Sequence, residues 1–160
     1  MNRLPSLLIS SLFFSTFLTG CFGKKPKETI YELVGSKEVR VEALTNVLLR
    51  ENEPLPSPLL NGYLLEIKIG DGRMGPSDFR TFLSFEVAPD ELEKWIQLLG
   101  GPIERPLKAE LPSLDRFWWR SAESLQGLTF YPGKALSGRY NSWAAIDPDD
   151  GRIYVYSFTL

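Results

Sequence analysis

Two neighbouring segments with a period of two place the strongest constraint on how this chain folds. From Gly62 to Ile69 every second residue is large and apolar, and Arg80 to Val87 repeats that alternation. This is the period of a half-buried strand. Residues 70–78 between them carry Gly-Asp-Gly and Gly-Pro sequences, which are typical of turns. The pattern therefore predicts an antiparallel hairpin.

The residues after this hairpin predict one amphipathic helix. Pro89-Asp90-Glu91 supplies a proline and two acids suited to a first turn, and Gly100-Gly101-Pro102 would end the helix. The apolar residues between these signals recur at i, i+3, i+4 and i+7, and they are Leu92, Trp95, Ile96 and Leu99. We expect this helix to pack on the sheet with Trp95 buried.

The C-terminal third predicts a second meander of three strands. They are expected at Leu128 to Tyr131, Tyr140 to Asp147 and Ile153 to Leu160. Both faces of the last strand are apolar or aromatic, so we expect it to be central or covered on both sides. The loop at 147–152 has a proline and a glycine suited to a hairpin turn. Its three aspartates also suggest a calcium site, but their spacing does not match an EF-hand loop. We therefore prefer the interpretation that these residues form a turn.

The sequence before Gly62 is less decisive. Thr29 to Val34 and Val39 to Leu49 are mixed, and the second segment contains both a possible strand at 39–43 and a run that could be helical. Taken together, the patterns predict an α+β fold, with a mainly antiparallel sheet of hairpins and a meander and one well-supported amphipathic helix packed on it. One globular domain over residues 29–160 is expected.

The N-terminal segment has the architecture of a signal peptide. A basic start at Arg3 precedes an apolar stretch from about Leu7 to Phe17, which is too short to cross a bilayer comfortably. Leu18-Thr19-Gly20-Cys21 then resembles the lipobox of bacterial lipoproteins. This resemblance covers residues 1–21 only. It implies cleavage after residue 20, a diacylglycerol on the sulfur of Cys21 and usually a third acyl chain on the new amino group, such as palmitate.

The predicted anchor sets the expected location. Two lipid signals already hold a protein stably on a membrane, so we expect a lipid-anchored membrane protein. Residue 22 is phenylalanine, whereas an aspartate there commonly signals retention in the inner membrane. We therefore expect the outer membrane, facing the periplasm, in a host with two membranes, and otherwise the extracytoplasmic face of the cell membrane. Residues 21–28 would form the lipidated cysteine and a short tether.

Composition excludes several classes of function. The chain has no histidine and one cysteine, so a serine-histidine-acid triad and histidine-based zinc sites are impossible. With 18 basic and 20 acidic residues, it lacks the strongly basic balance of a nucleic-acid-binding domain. No motif predicts a cofactor, a metal or a catalytic residue.

The densest aromatic segment suggests a binding surface. Adjacent Trp118 and Trp119 are flanked by Arg116 and Arg120, and Tyr131 follows nearby. Exposed, these side chains would form a stacking platform. The alternative, which we weight more heavily, is a plug at one end of the sheet, with one tryptophan buried and the other across its rim.

These observations favour a noncatalytic function. We expect a binding or accessory module for an envelope protein, either as a subunit of an envelope complex or as an immunity-type protein. The alternative is a module that binds peptidoglycan or another glycan, or an enzyme that acts on one through a pair of carboxylates.

Overall fold

A six-stranded antiparallel sheet organises the chain. The computed structural model describes residues 27–52, 54–70 and 76–159, so the predicted signal peptide and Cys21 lie outside the described residues. The sheet has the strand order β1-β2-β3-β6-β5-β4. The strands are β1 Glu28–Glu32, β2 Asn61–Ile69, β3 Asp78–Glu86, β4 Thr129–Pro132, β5 Ser142–Asp147 and β6 Arg152–Phe158. The helices are α1 Lys37–Leu49, α2 Leu92–Leu99, α3 Ala122–Leu125 and α4 Lys134–Ser137.

The predicted α+β fold is confirmed. Strands β2 and β3 form the expected hairpin, with Leu65 opposite Phe82, and β4, β5 and β6 form the expected meander. Pairing of β3 with β6, which places Leu83 opposite Val155, joins these two units into one sheet. The last strand is therefore central, as its two apolar faces predict.

Each face of the sheet carries its own core. The helical face includes Leu83, Phe85 and Val155, which pack with buried residues of α1 and α2. The loop face includes Phe82 and Tyr154, which pack with buried residues of the segment 111–125. Because successive side chains of a strand point to opposite faces, the alternation along β3 and β6 supplies both cores.

The two ends of the sheet differ in what they carry. At one end β1 begins, β2 ends at Ile69 and β3 begins at Asp78; the backbone N–H of Gly70 donates there to the carbonyl of Lys27 at 2.9 Å. We call this the tether end. At the opposite end Asp147 pairs with Arg152 across the β5–β6 turn, and we call this the turn end.

Helix α1 resolves the ambiguous segment before Gly62. The possible strand at 39–43 is wrong, because these residues lie within the helix. The side chain of Ser36 caps the helix by accepting a hydrogen bond from the N–H of Val39 at 3.5 Å. Leu44 and Leu48, four residues apart, are fully buried against the helical face. The segment is helical because the Ser36 cap and the buried face formed by Leu44 and Leu48 both favour a helix.

The predicted helix is confirmed as α2. Trp95 is fully buried, and its indole N–H donates to the hydroxyl of Ser57 at 2.8 Å. A buried indole normally finds such a partner. Residues 89–91 form a 3-10 turn before the helix, and Gly100 ends it with a positive φ of 86°. Among the described residues, the structure has no helix long and apolar enough to cross a membrane.

The β5–β6 turn depends on Gly151. Its φ is 64°, which favours glycine, and an added Cβ would lie 2.4 Å from the carbonyl oxygen of Val87. The Gly151 carbonyl in turn accepts a hydrogen bond from the N–H of Val87 at 3.0 Å. The turn therefore fits closely against the chain leaving β3.

Candidate binding cleft

Both tryptophans of the aromatic segment are core residues. Trp118 is 2% exposed and Trp119 is 6% exposed. The Trp118 ring stacks on Tyr63 with centroids 5.5 Å apart, and Trp119 meets Phe82 edge-on at 5.1 Å. This burial is incompatible with an open stacking platform. It also differs from the alternative interpretation, in which only one of the two tryptophans is buried and the other lies across the rim of the sheet. The neighbouring Phe117 is instead 86% exposed.

Both arginines of that segment form hydrogen bonds or ion pairs with other residues of the domain. Arg116 donates two hydrogen bonds to the carboxylate of Glu32 in β1, at 2.9 and 3.0 Å. Arg120 donates to the hydroxyl of Tyr154 at 3.1 Å and contacts the carboxylate of Asp147. These contacts hold the segment on the loop face of the sheet.

Tyr131 lies apart from this group. It is buried in the core of the helical face, whereas Trp118 and Trp119 are buried on the loop face. The sheet separates them, because Tyr131 and its neighbour Phe130 point to opposite faces. The structure therefore does not bring the five sequence-predicted residues together.

The carboxylate of Asp147, which contacts Arg120, is buried. Asp147 is 2% exposed, and its Oδ1 accepts a hydrogen bond from the N–H of Asp149 at 3.2 Å. Burial raises the pKa of Tyr154, against the opposing effect of its hydrogen bond with Arg120. Burial opposes the charge of Arg120, but the hydrogen bond to Tyr154 and the charge of Asp147 raise its pKa overall. Arg120 is thus held at the turn end by the hydroxyl of Tyr154 and the carboxylate of Asp147.

A concave site lies at the other end of the loop face. It is a cleft of about 990 Å³ between the sheet and residues 104–112. Three aromatic side chains from the two strands β5 and β6 line it, namely Trp143, Tyr156 and Phe158. Tyr156 lies 5.7 Å from both other rings between centroids. Trp143 also lies 6.2 Å from Trp119, so the cleft floor continues the aromatic cluster of the loop-face core.

Charged residues of both signs border this floor. Arg80 and Arg105 are exposed lining residues, and the carboxylates of the cleft are Asp78, Glu104 and Glu110. Burial raises the pKa of Tyr156, with a smaller opposing effect of Arg80, so its phenol stays neutral at neutral pH. Trp143 and Tyr156 are themselves buried, so the part-exposed ring of Phe158 and the charged groups are what the cleft offers to a ligand. Ligand pockets combine an apolar lining with a few polar groups in this way.

A smaller cavity of about 370 Å³ lies on the helical face. Its apolar lining includes Leu64, Leu83 and Leu136. At its polar side Thr81 donates to Glu66 at 3.2 Å, and Arg139 donates to Thr81 at 3.2 Å. These polar groups satisfy one another, so we regard this cavity as the weaker candidate site. Over the residues that the structure describes, no group of three or more acidic or cysteine side chains could hold a metal ion.

The sequence predicted only part of the cleft. Tyr156 and Phe158 share one phase of the alternation in the last strand, which predicts that they lie on one face. No local pattern indicated that Trp143 and Arg80 join them, because that depends on the pairing of β6 with both β3 and β5.

Comparisons of the chain with protein-family models, with curated proteins and with solved structures found no match. The residues and the geometry of the cleft are therefore the basis for assigning it a function.

Proposed function

We propose that this protein is a lipid-anchored envelope protein whose domain binds a segment of a partner protein without catalysing a reaction. The observation that carries the proposal is the cleft on the loop face, with aromatic rings in its floor and charges of both signs along its border. A polypeptide segment presents apolar and charged side chains together, which matches such a lining. Aromatic and arginine side chains are also the residue types enriched at protein interfaces.

The chemistry of the cleft supports binding rather than catalysis. The chain has no histidine, and Cys21 would be acylated, so the usual general base near neutral pH and a free thiol nucleophile are both missing. The charged side chains of the cleft are exposed or half-buried. Such groups suit the recognition of a partner at the border of an interface.

Site-specific photo-crosslinking in native membranes tests the binding face. A photoreactive phenylalanine at position 158 samples the cleft, and the same group at position 117 is the matched control, because Phe117 is exposed and does not line the cleft. We expect one envelope protein to crosslink from position 158 and not from position 117. Identical products from both positions, or none from 158, would contradict the proposal.

A charge reversal then tests the border of the cleft. Arg105→Glu should weaken capture of the crosslinked partner without lowering the melting temperature, since Arg105 is exposed. Lys37→Glu reverses a charge at the first residue of α1, outside the cleft lining, and should leave capture unchanged. Equal loss in both variants would indicate a general charge effect instead of a site.

The anchor needs its own measurement. Intact mass analysis of protein purified from membranes should show a chain that begins at Cys21 and carries acyl chains. The Cys21→Ser variant should lack them and should leave the membrane fraction. An unacylated wild-type chain would refute the lipoprotein assignment without bearing on the cleft.

Glycan binding is the second candidate. The part-exposed ring of Phe158 favours it, because sugar rings stack on aromatic faces, and the neighbouring carboxylates suit hydroxyl groups. Incubation with purified cell-wall polymer separates the alternatives. Retention of the protein on the polymer would indicate a binding module, and release of soluble fragments would indicate a carboxylate-dependent enzyme.

A further inference from the structure

Residues 104–110, which we call the strap, form one wall of the cleft and are fixed at both ends. Before them, the N–H of Ile103 donates to the carbonyl of Phe130 in β4 at 2.9 Å. After them, Leu111 is buried in the core of the loop face. Within the part of the chain that the structure describes, no hydrogen bond or ion pair joins the strap itself to a strand.

The middle of the strap is a small turn that bonds to itself. The N–H of Glu110 donates to the carbonyl of Leu107 at 2.8 Å, and the carboxylate of Glu110 accepts from the N–H of Leu107 at 3.0 Å. Leu107 is 70% exposed although it lines the cleft. Segments with few buried contacts move at a low free-energy cost, so the strap can move as a unit between its two fixed ends.

An exposed leucine at the wall of the cleft gains from being covered. Across the cleft from the strap, the ring of Phe158 in β6 is part-exposed. An apolar side chain of a bound segment that lies between Leu107 and Phe158 would be covered by both. Removal of this apolar surface from water would favour movement of the strap toward the sheet.

Charges of opposite sign lie on the strap and on the sheet. Glu104 and Arg105 of the strap are exposed, and Asp78 and Arg80 of β3 are half-buried and exposed, respectively. All four line the cleft. Over the residues that the structure describes, none of these four side chains forms a hydrogen bond or an ion pair. Each wall of the cleft therefore has a charge that the other wall can neutralise.

The position of Asp78 makes it the better partner for the strap. Asp78 is the first residue of β3 and pairs with Ile69, the last residue of β2, so it lies at the end of the sheet. Arg80 instead pairs with Phe158 and borders the floor of the cleft. An ion pair between Arg105 and Asp78 would close one side of the cleft and leave the floor to a bound segment.

This ion pair is too weak to hold the strap by itself. A pair of exposed charges contributes little stability, and holding the strap in one position costs conformational entropy. A bound segment changes this balance, because it covers Leu107 and excludes water from the ion pair, which strengthens it. A ligand drives a conformational change only through such differences in contacts between two states.

We infer that the strap closes over a segment bound in the cleft, with Leu107 against the segment and Arg105 paired with Asp78. Closure slows the release of the segment, since affinity is set mostly by the rate of dissociation. This inference rests on the proposed function of the cleft.

An exchange of charges tests the ion pair. The probe is the photoreactive phenylalanine at position 158 in native membranes, and the yield of crosslinked product is measured. Arg105→Glu should lower the yield several-fold. Addition of Asp78→Arg should restore most of it, because the pair is then formed with exchanged signs. Addition of Glu93→Arg is the matched control, since it makes the same change of charge at an exposed residue of α2, on the other face of the sheet.

The outcomes separate the strap from the binding proposal. Recovery with Asp78→Arg and not with Glu93→Arg would support closure. No recovery with Asp78→Arg, or equal recovery with Glu93→Arg, would overturn the inference and leave the binding proposal standing. No crosslink from position 158 without these charge variants would refute the proposed function, and the strap inference with it.

Disulfide trapping in native membranes measures the approach of the strap directly. With Cys21 acylated, the pair Arg105→Cys and Asp78→Cys has two free thiols, and a disulfide joins them only if their Cα atoms come within about 7 Å. The control pairs Arg105→Cys with Thr29→Cys, because Thr29 pairs with Lys68 and points to the helical face. A mild oxidant should link the first pair several-fold faster than the control. Equal rates would overturn the inference.

Discussion

Gly62 lies in strand β2 where helix α1 packs on the sheet. A Cβ added to this residue would lie 2.4 Å from Cδ2 of Leu44, a fully buried side chain of α1. The contact falls on the terminal methyl group of Leu44, which is fully buried and can move away only by displacing its core neighbours. The absence of a side chain at one residue thus sets the distance between a helix and a strand.

Substitution of this glycine should therefore destabilise the domain. We expect Gly62→Ala to lower the free energy of unfolding by about 1–3 kcal/mol, the usual cost of overpacking a core. Denaturation in urea, followed by tryptophan fluorescence, measures the change. Gly101→Ala is the matched control, because an added Cβ there would meet nothing within 4 Å and its φ is not positive. A comparable loss in both variants would contradict the close-approach argument.

The segment 111–125 acts as the cover of the loop face. Its buried residues are Leu111, Trp118, Trp119 and Leu125, and Arg116 and Arg120 tie it to strands β1 and β6. It has little regular structure of its own apart from α3. Its order therefore comes from packing and ion pairs, and the tryptophans stabilise the fold instead of presenting a surface.

Truncation of a tryptophan measures that contribution. Trp118→Ala should cost about 3–5 kcal/mol of stability, as expected for removal of a buried large aromatic side chain. Phe117→Ala is the neighbouring control. Phe117 is largely exposed and contacts Tyr63 edge-on, so we expect a loss below about 1 kcal/mol. If the thermal unfolding curves of the two variants shift equally, the assignment of Trp118 to the core is wrong.

The sheet as a whole depends on its two central strands. β3 and β6 each pair on both sides, whereas β1 and β4 form its edges. Most of β1 is exposed, including Ile30 and Tyr31. Its terminal glutamates, Glu28 and Glu32, place charges along this open edge, which discourages pairing with another chain.

This arrangement predicts a gradient of local stability. Amide hydrogens of β3 and β6 should exchange only through global unfolding, and those of β1 should exchange orders of magnitude faster through local opening. Hydrogen exchange followed by mass spectrometry or by NMR measures the difference. Equal protection of β1 and β3 would mean that the edge strand opens only with the whole domain.

The cleft and the tether end occupy the same end of the molecule. Ile69, Asp78 and Arg80 line the cleft, and the first two also mark the end of the sheet at which Lys27 enters. If Cys21 is acylated as proposed, the six residue steps to Lys27 keep this end within roughly 20 Å of the anchoring lipid. A partner segment that reaches it would then be one held near the same membrane.

Local rules in the sequence determined much of the fold. A period of two predicted the strands, a period of 3.6 predicted α2, and glycine and proline placed the turns, because these signals act between residues close in the chain. Helix α1 stayed ambiguous, since its apolar residues include Val39, Val41 and Val47 and do not form one sharp stripe. Its state was decided by the Ser36 cap and by packing of Leu44 over Gly62.

Contacts between distant residues decided the rest. The pairing of β3 with β6 links residues more than sixty positions apart, and it sets both the burial of Trp118 and Trp119 and the floor of the cleft. The aromatic segment had the composition of a binding surface, yet the burial of its side chains depends on the residues that pack against them. The sequence by itself thus determined the β2–β3 hairpin, helix α2 and the C-terminal meander, and it predicts an anchor at Cys21. The tertiary structure alone decided that Trp118 and Trp119 are covered and that Phe158 is part-exposed at the cleft, because apolar side chains are covered only where the sheet brings partners to them.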